Sequence, residues 1–260
     1  MAIESQRSSQ EQFGRTAANY ATSITHSGND SLVDLRQLLE AEGTHFGTAV
    51  DVGTGPGFTA FAIAPYCDRV IATDVTPQML EEVRRLRHER EAPKTQMALA
   101  AAESLPFADG SIDLVTCRTA AHHFVNLPGW LREVARVLSP GGLLIVADTC
   151  APEDPESAAW MHDIELRRDA SHIKNLAPSE WHTAIKEAGL SVTGSAMSYV
   201  LLQYPDWAER AGMTEPDSTV MRVDLLRAPE GAQRAFDFQE NADRTIDFHW
   251  DVVAVSAVKR

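Results

Sequence analysis

Val50-Asp51-Val52-Gly53-Thr54-Gly55-Pro56-Gly57 decides how this chain is read, together with Asp74, 23 residues after Asp51 and last in Val70-Ile71-Ala72-Thr73-Asp74. Thr48-Ala49-Val50 with Val52 is a short apolar run of the kind found in a strand buried on both faces. Three glycines at alternate positions then require a loop, and a helix is expected over 58–64. Glycine serves where the backbone needs positive φ, or where a ligand approaches too closely for a Cβ. A loop of this kind between a strand end and a helix N-terminus is the usual nucleotide crevice of a parallel sheet. The second strand, 69–73, ends at Asp74, whose carboxylate at the crevice edge can accept hydrogen bonds from both ribose hydroxyls. Loop and carboxylate together read as a nucleoside-cofactor site.

Spacing separates the candidate cofactors. A dinucleotide loop, G-x-G-x-x-G, would place its third glycine where this chain has Phe58. A phosphate-binding P-loop needs Gly-Lys-Ser/Thr at the helix start, and no lysine stands between Thr48 and Asp68. An acid, then G-x-G-x-G, then a second acid closing the next strand resembles the class I S-adenosylmethionine-dependent methyltransferases.

The resemblance continues through Ala102-Glu103-Ser104-Leu105-Pro106-Phe107, Ser111-Ile112-Asp113-Leu114-Val115 and Leu131-Arg132-Glu133-Val134-Ala135-Arg136-Val137-Leu138-Ser139-Pro140-Gly141-Gly142. These segments look like the third, fourth and fifth strand regions of the ubiquinone/menaquinone-biosynthesis (UbiE-like) type. Beyond them, Ala151-Pro152-Glu153-Asp154-Pro155, Arg168-Asp169-Ala170-Ser171-His172 and Ser179-Glu180-Trp181 resemble a poorly characterised bacterial subfamily of that type. One position departs from the pattern. Many relatives carry an aspartate for the adenine amino group where this chain has Ala101, so adenine is expected to rest on backbone around Ala102 and Glu103, under Leu105 or Val75.

Composition agrees with a cytosolic enzyme. At 260 residues, 44% of them apolar, the chain can bury a full core. With 23 basic and 37 acidic residues the net charge is −14, which repels a polyanion, so nucleic acid is not the expected partner. No apolar run approaches the roughly 20 residues of a bilayer span, and 1–12 has no signal-like stretch. A soluble, cytoplasmic protein without membrane partner is expected. Cys67, Cys117 and Cys150 are scattered and odd in number, which suggests neither disulfides nor a zinc knot.

The chain alternates strand and helix, as a mostly parallel sheet with helices on both faces requires. Strands are expected near 95–101, 112–117 and 143–148, and helices over 77–91 and 127–138. Thr76 and Pro77 read as N-cap and first helical residue, and Pro140-Gly141-Gly142 as a turn. Less regular elements follow: helices 155–168 and 179–188, strand 191–202, two short helices between 204 and 237, and a last strand near 245–258. The resemblance implies a Rossmann-like seven-stranded sheet whose antiparallel last strand lies between the fifth and sixth. One methyltransferase domain is expected, with lid helices in 1–45, a cofactor-binding core in 46–150, a helical cap and substrate region in 151–245 and the final strand in 246–260.

The resemblance also implies the site. Cofactor contacts are expected from Tyr20 in an N-terminal lid, from Asp51, Gly53, Thr54, Gly55 and Gly57, from Asp74, Val75 and Met79, from Ala102 and Glu103, and from Cys117 and Arg118. Methyl transfer from a sulfonium is an in-line displacement, so positioning and a base suffice. His122 and His123, just after the fourth strand, are the candidate bases; packing or hydrogen bonding on the cofactor side is the other reading. Arg118 can meet the cofactor carboxylate, an acidic substrate or a neighbouring aspartate, and Asp148 can cap the loop after the fifth strand. His162, Arg168 and His172 are the candidate substrate contacts. Arg168 and His172 would share a face if the helix persisted, holding an anionic group or pairing with Asp169. No histidine pair has the spacing that specifies a metal. The expected partner is a small-molecule acceptor, quinone-like or a secondary metabolite, with a homodimer through the C-terminal helices as the other partner considered. A catalytically silent cofactor binder and a nicotinamide-dependent oxidoreductase are the competing readings.

Overall fold

The computed structural model describes residues 10–15, 17, 21 and 30–260. Residues 10–15 are helical; Tyr20 and other parts of the expected lid lie outside the described residues. Helix α1 (Asp30–Ala41) precedes strand β1 (Phe46–Val52), which leads into α2 (Phe58–Ile63), β2 (Cys67–Asp74), α3 (Pro77–Glu89) and β3 (Thr95–Leu99). Then come β4 (Ile112–Arg118), α4 (Leu127–Val137), β5 (Leu138–Thr149), α5 (Pro155–Arg168) and α6 (Pro178–Glu187). The chain closes with β6 (Leu190–Tyr204), α7 (Asp206–Arg210), α8 (Glu215–Leu226), α9 (Glu230–Phe236), β7 (Gln239–Glu240) and β8 (Ile246–Lys259).

The sheet runs β3-β2-β1-β4-β5-β8-β6, with the short β7 pairing on β8. Strands β1 to β5 pair in parallel, and β8 runs antiparallel between β5 and β6, as the sequence led us to expect. Strand order reverses between β1 and β4, so the loops after these two strands flank the crevice where such sheets bind ligands. Both faces are covered. On one, Leu35 and Leu39 of α1, Ile63 of α2 and Val83 of α3 pack on Val70, Leu114 and Ile145. On the other, Trp130, Leu131, Val134 and Val137, one stripe of α4, join Trp181 and Ile185 of α6. Among the described residues no helix is long and apolar enough to cross a membrane.

Two local expectations are refined. Thr76 is the N-cap of α3 with Pro77 in the first turn, as expected, extended at φ −102° and ψ 110°, but its side chain makes no cap bond, and its N–H donates to Asp74 Oδ1 at 2.8 Å. Pro140-Gly141-Gly142 does not separate α4 from β5. The strand starts at Leu138, which pairs with Ile112, and the next paired residues are Leu114 and Leu143. The extra residues bulge out of the ladder, with Gly141 at φ 79°.

Strands β6 and β8 overrun their neighbour. The pairing of β8 with β5 begins at Val252 opposite Thr149, whereas its pairing with β6 continues to Ile246 opposite Tyr204. The overhang carries Val200, Leu202, Phe248 and Trp250, which pack with Trp207 of α7 and Phe236 of α9 into a separate aromatic core beyond the C-terminal edge of the sheet. It forms a wall over the crevice.

Gly57 fixes the exit of the loop into α2. Its φ is 95°, and a Cβ there would stand 2.9 Å from Phe61 and 3.1 Å from Val83. Left-handed backbone and contact add, so Gly57→Ala should lower unfolding free energy by about 2 kcal/mol or more, read by urea denaturation.

Candidate active site

The glycine loop is held from beneath by a buried carboxylate. Asp51 accepts Thr54 Oγ1 at 2.6 Å and Thr116 Oγ1 of β4 at 2.7 Å, while its own carbonyl takes Thr73 Oγ1 at 3.1 Å. Burial pushes the Asp51 pKa up to about 6, against the two threonine bonds and the nearby Arg118. Asp51 thus ties loop, β2 and β4 together but lies behind the cavity wall.

Asp74 closes the next strand and faces the cavity. Its Oδ2 accepts Gly55 N–H at 2.9 Å and its Oδ1 accepts Thr76 N–H at 2.8 Å, and burial raises its pKa. Each carboxylate oxygen has two acceptor sites. One per oxygen is spent on backbone, and the other is left for a ribose hydroxyl.

One cavity with about 1560 Å³ of empty space, part of it open to solvent, runs from Asp74 to Trp250. Gly53, Thr54, Gly55, Asp74, Val75, Met79, Ala102, Glu103 and Arg118, all expected as cofactor contacts, line it. Ala100 and Ala101 complete the adenine side, whereas Leu105 is buried away from it. A Cβ on Gly55 would meet no protein atom within 4 Å, so the space over the loop is open to a ligand. Asp51, Gly57 and Cys117 stand behind the wall. The Cys117 thiol is fully buried, and burial with Asp148 and Asp51 drives its pKa well up, so it is inert. Arg118 donates Nε to Thr59 Oγ1 at 3.0 Å and Nη1 to Ser31 Oγ at 3.1 Å, anchoring α2 and α1 to β4. Burial lowers its pKa to about 10, with Asp51 and Asp148 holding it up.

His122 and His123 both line the cavity, in different states. Asp148, buried at the end of β5, accepts His122 Nδ1 at 2.7 Å on Oδ1 and the His122 backbone N–H at 3.0 Å on Oδ2. A carboxylate only accepts, so in the neutral ring Nδ1 carries the proton and Nε2 the lone pair. Burial opposes charge on His122, but Asp148 outweighs it, with Glu165 and Asp169 adding, and the pKa is raised. His123 goes the other way: burial and then the neighbouring His122, 4.1 Å between ring centroids, lower its pKa to about 4. Its Nδ1 lies 3.2 Å from the Ser171 carbonyl, and Phe13 of the 10–15 helix packs edge-on at 4.9 Å.

The expected substrate contacts divide. Arg168 lines the cavity; His162 and His172 do not. Helix α5 ends at Arg168 because Asp169 is extended, at φ −138° and ψ 105°, so Arg168 and His172 share no helical face. Arg168 pairs with Glu165 at 3.2 Å, donates to the Trp207 carbonyl and lies 4.6 Å over the Trp207 ring, while Asp169 accepts from Ser171. His172 is buried between His122 and the exposed His162, at 5.8 and 5.4 Å. Burial first, then His122 and His123, lower its pKa to about 2. Among the described residues no group of three His, Cys, Asp or Glu side chains is placed to hold a metal ion. The sequence places Thr119 at the end of the fourth strand and Trp207 in the C-terminal helices, and both line the cavity; Glu165, Arg210 and Trp250 were missed, because no motif announces them.

A parallel sheet with a glycine loop at its switch point, and an acid closing the adjacent strand, defines an α/β protein that holds a nucleoside. The family described as "Methyltransferase domain" matches residues 50–146. An uncharacterized methyltransferase of Bacillus subtilis, YcgJ, is 30% identical over 249 residues, covering 95% of this chain and 98% of YcgJ. The crystal structure of YcgJ superposes with a TM-score of 0.81, covering 87% of this chain and 97% of that one. YafE, an uncharacterized protein of Escherichia coli, is 33% identical over 207 residues, 80% of this chain and 98% of its own. The ubiquinone/menaquinone biosynthesis C-methyltransferase UbiE of Geobacter sp. is 32% identical over 113 residues, 42% of this chain and 48% of its own. The chain belongs to the class I S-adenosylmethionine-dependent methyltransferases. Its cofactor is S-adenosylmethionine, which the open space over Gly55 and the two spare acceptor sites of Asp74 fit.

Asp74→Ala should weaken S-adenosylmethionine binding at least about tenfold, the loss of charge-assisted bonds to the ribose, and lower the thermal midpoint, since the Gly55 and Thr76 N–H groups lose their acceptor. Titration calorimetry checks this, and unchanged affinity would remove Asp74 from the site.

Proposed function

We propose that the chain transfers the methyl group of S-adenosylmethionine to a small-molecule acceptor seated between His122 and the overhanging β6–β8 wall, with His122 as general base. The observation that carries this reading is the His122–Asp148 pair in the same cavity as the glycine loop. The cofactor supplies an activated methyl on a sulfonium; the protein supplies position and a proton acceptor. Asp74, Gly55 and the backbone around Ala102 hold the nucleoside end. Asp148 fixes the His122 tautomer and orientation, leaving Nε2 to take the acceptor's proton, as a third group orients the base in other nucleophile–base arrangements. His123, kept neutral by its low pKa, and Phe13 pack beside it as shape.

An acceptor that loses a proton on methylation, a phenol, enol or quinol, suits a histidine base. The cap walls, Val200, Leu202, Trp207 and Trp250, suit a flat apolar body. The ubiquinone/menaquinone type therefore remains our reading of the acceptor class, by O- or C-methylation, supported by the motifs around Ala102-Glu103 and by the partial likeness to UbiE. The net charge of −14 argues against a nucleic-acid acceptor.

The pKa of His122 is raised, so the base form is lost as pH falls through a value above 6.5. The rate at saturating substrate should rise with pH across that value and level off above it. Asp148→Asn removes the charge that raises this pKa, so it should move the profile to lower pH and cut kcat about 10²-fold. His122→Ala should cut kcat by a similar or larger factor while S-adenosylhomocysteine affinity stays within about twofold.

A screen of phenols, enols and quinols for S-adenosylhomocysteine release identifies the acceptor class. Cofactor binding with no turnover on any of them, and no effect of His122→Ala, would return the chain to a silent cofactor binder.

A further inference from the structure

Four non-glycine residues have positive φ among the described residues: Glu91, Thr119, Asp237 and Arg244. Of these, Thr119 alone is β-branched and alone lines the cavity, at φ 50°. A β-branched residue there is an outlier that persists only where its surroundings over-determine it. Three clamps do so. Thr119 N–H donates to the Ala147 carbonyl at 2.9 Å, extending the β4–β5 ladder by one residue. The next residue, Ala120, is wedged so tightly that a Cβ on Gly53 would stand 2.7 Å from its own Cβ. Two residues later the His122 backbone is bonded to Asp148. The strained turn is the piece that joins the glycine loop to the base.

A glycine would adopt this backbone without steric cost, so what Thr119 adds there is its side chain. Four threonine hydroxyls around the glycine loop are engaged: Thr54 and Thr116 on Asp51, Thr73 on the Asp51 carbonyl, Thr59 with Arg118. The Thr119 hydroxyl has no hydrogen bond among the described residues, and the residue is half-buried in the cavity wall; the other unpartnered threonine hydroxyl of the lining, that of Thr76, is at the far end beside Asp74 and is buried. In the chain it stands between Arg118 and His122, the anchor of the loop helix and the base.

We infer that the Thr119 hydroxyl is a further contact of the reacting centre, hydrogen-bonding the polar group that occupies the transfer position between the cofactor and His122. This rests on the reading of the cavity as a methyl-transfer site. A hydroxyl can both donate and accept, so it serves an acceptor oxygen or nitrogen before and after that atom loses its proton to His122 Nε2.

Titration calorimetry with S-adenosylhomocysteine and with sinefungin, which carries an amine where the methyl stands, reads the position without any acceptor. Thr119→Val keeps the branched shape and loses the hydroxyl. It should lower affinity for sinefungin relative to S-adenosylhomocysteine by about tenfold, and Thr119→Ser should restore the wild-type ratio. Thr119→Gly should lose the ratio as Val does while its thermal midpoint rises, since the strain is gone. An unchanged ratio in Thr119→Val overturns the inference, and so does an equal loss of both ligands, which would make Thr119 part of the cofactor cradle. The methyl-transfer reading stands or falls separately, on wild-type turnover in the acceptor screen.

Discussion

The site depends on a carboxylate that never meets a ligand. Asp51 is 1% exposed and holds one threonine on each oxygen, one from the glycine loop and one from β4. Hydrogen bonds to a charged group contribute about 1.5–3 kcal/mol each, and desolvating the carboxylate costs a comparable amount. Burial wins: the pKa stands up at about 6 although the hydroxyls resist. What Asp51 secures is therefore geometry more than stability. The loop over which the cofactor lies and the strand that delivers His122 are bonded to the same two oxygens.

From that fixed point the chemistry is a matter of environment. His122 and His123 are adjacent in sequence and both buried, yet one is pushed toward the charged form and the other away from it. The difference is Asp148, which bonds His122 alone, while His123 faces a carbonyl and a like-charged neighbour. Pairs of titratable groups whose surroundings push them apart are where acid–base roles can be assigned. On the sequence the two histidines are interchangeable.

The cofactor half was legible because its parts are local. Glycine loop, β1 and Asp74 lie within the 29 residues 46–74, and each carries a residue type that its backbone or ligand requires. The sheet order followed as well, since alternating strands and helices admit few right-handed arrangements. Details set by long-range contact were not legible. Pro140-Gly141-Gly142 looked like a turn until the β4–β5 ladder closed around it. Asp51 looked like a cofactor ligand because nothing in the sequence shows that Thr54 and Thr116 occupy both its oxygens.

The acceptor half was illegible for a further reason, which bears on what it can bind. Its wall comes from an overhang whose length appears in no motif, with Val200 and Leu202 contributed by one strand and Trp250 and Val252 by the other. Its two arginines suggest an anionic acceptor when counted alone. Each arrives with its own carboxylate: Arg168 with Glu165, and Arg210 with Asp206 at 2.9 Å. Glu165 also accepts the Trp250 indole N–H at 2.5 Å, so this carboxylate ties α5 to the overhanging strand as well as to Arg168. These groups serve the cap's own cohesion, bracing aromatic walls that would otherwise be held by packing alone. On the proposed function, the polarity that an acceptor meets is then set less by the arginines than by the tryptophans they brace and by His122 Nε2, the nitrogen that the Asp148 bond leaves facing away.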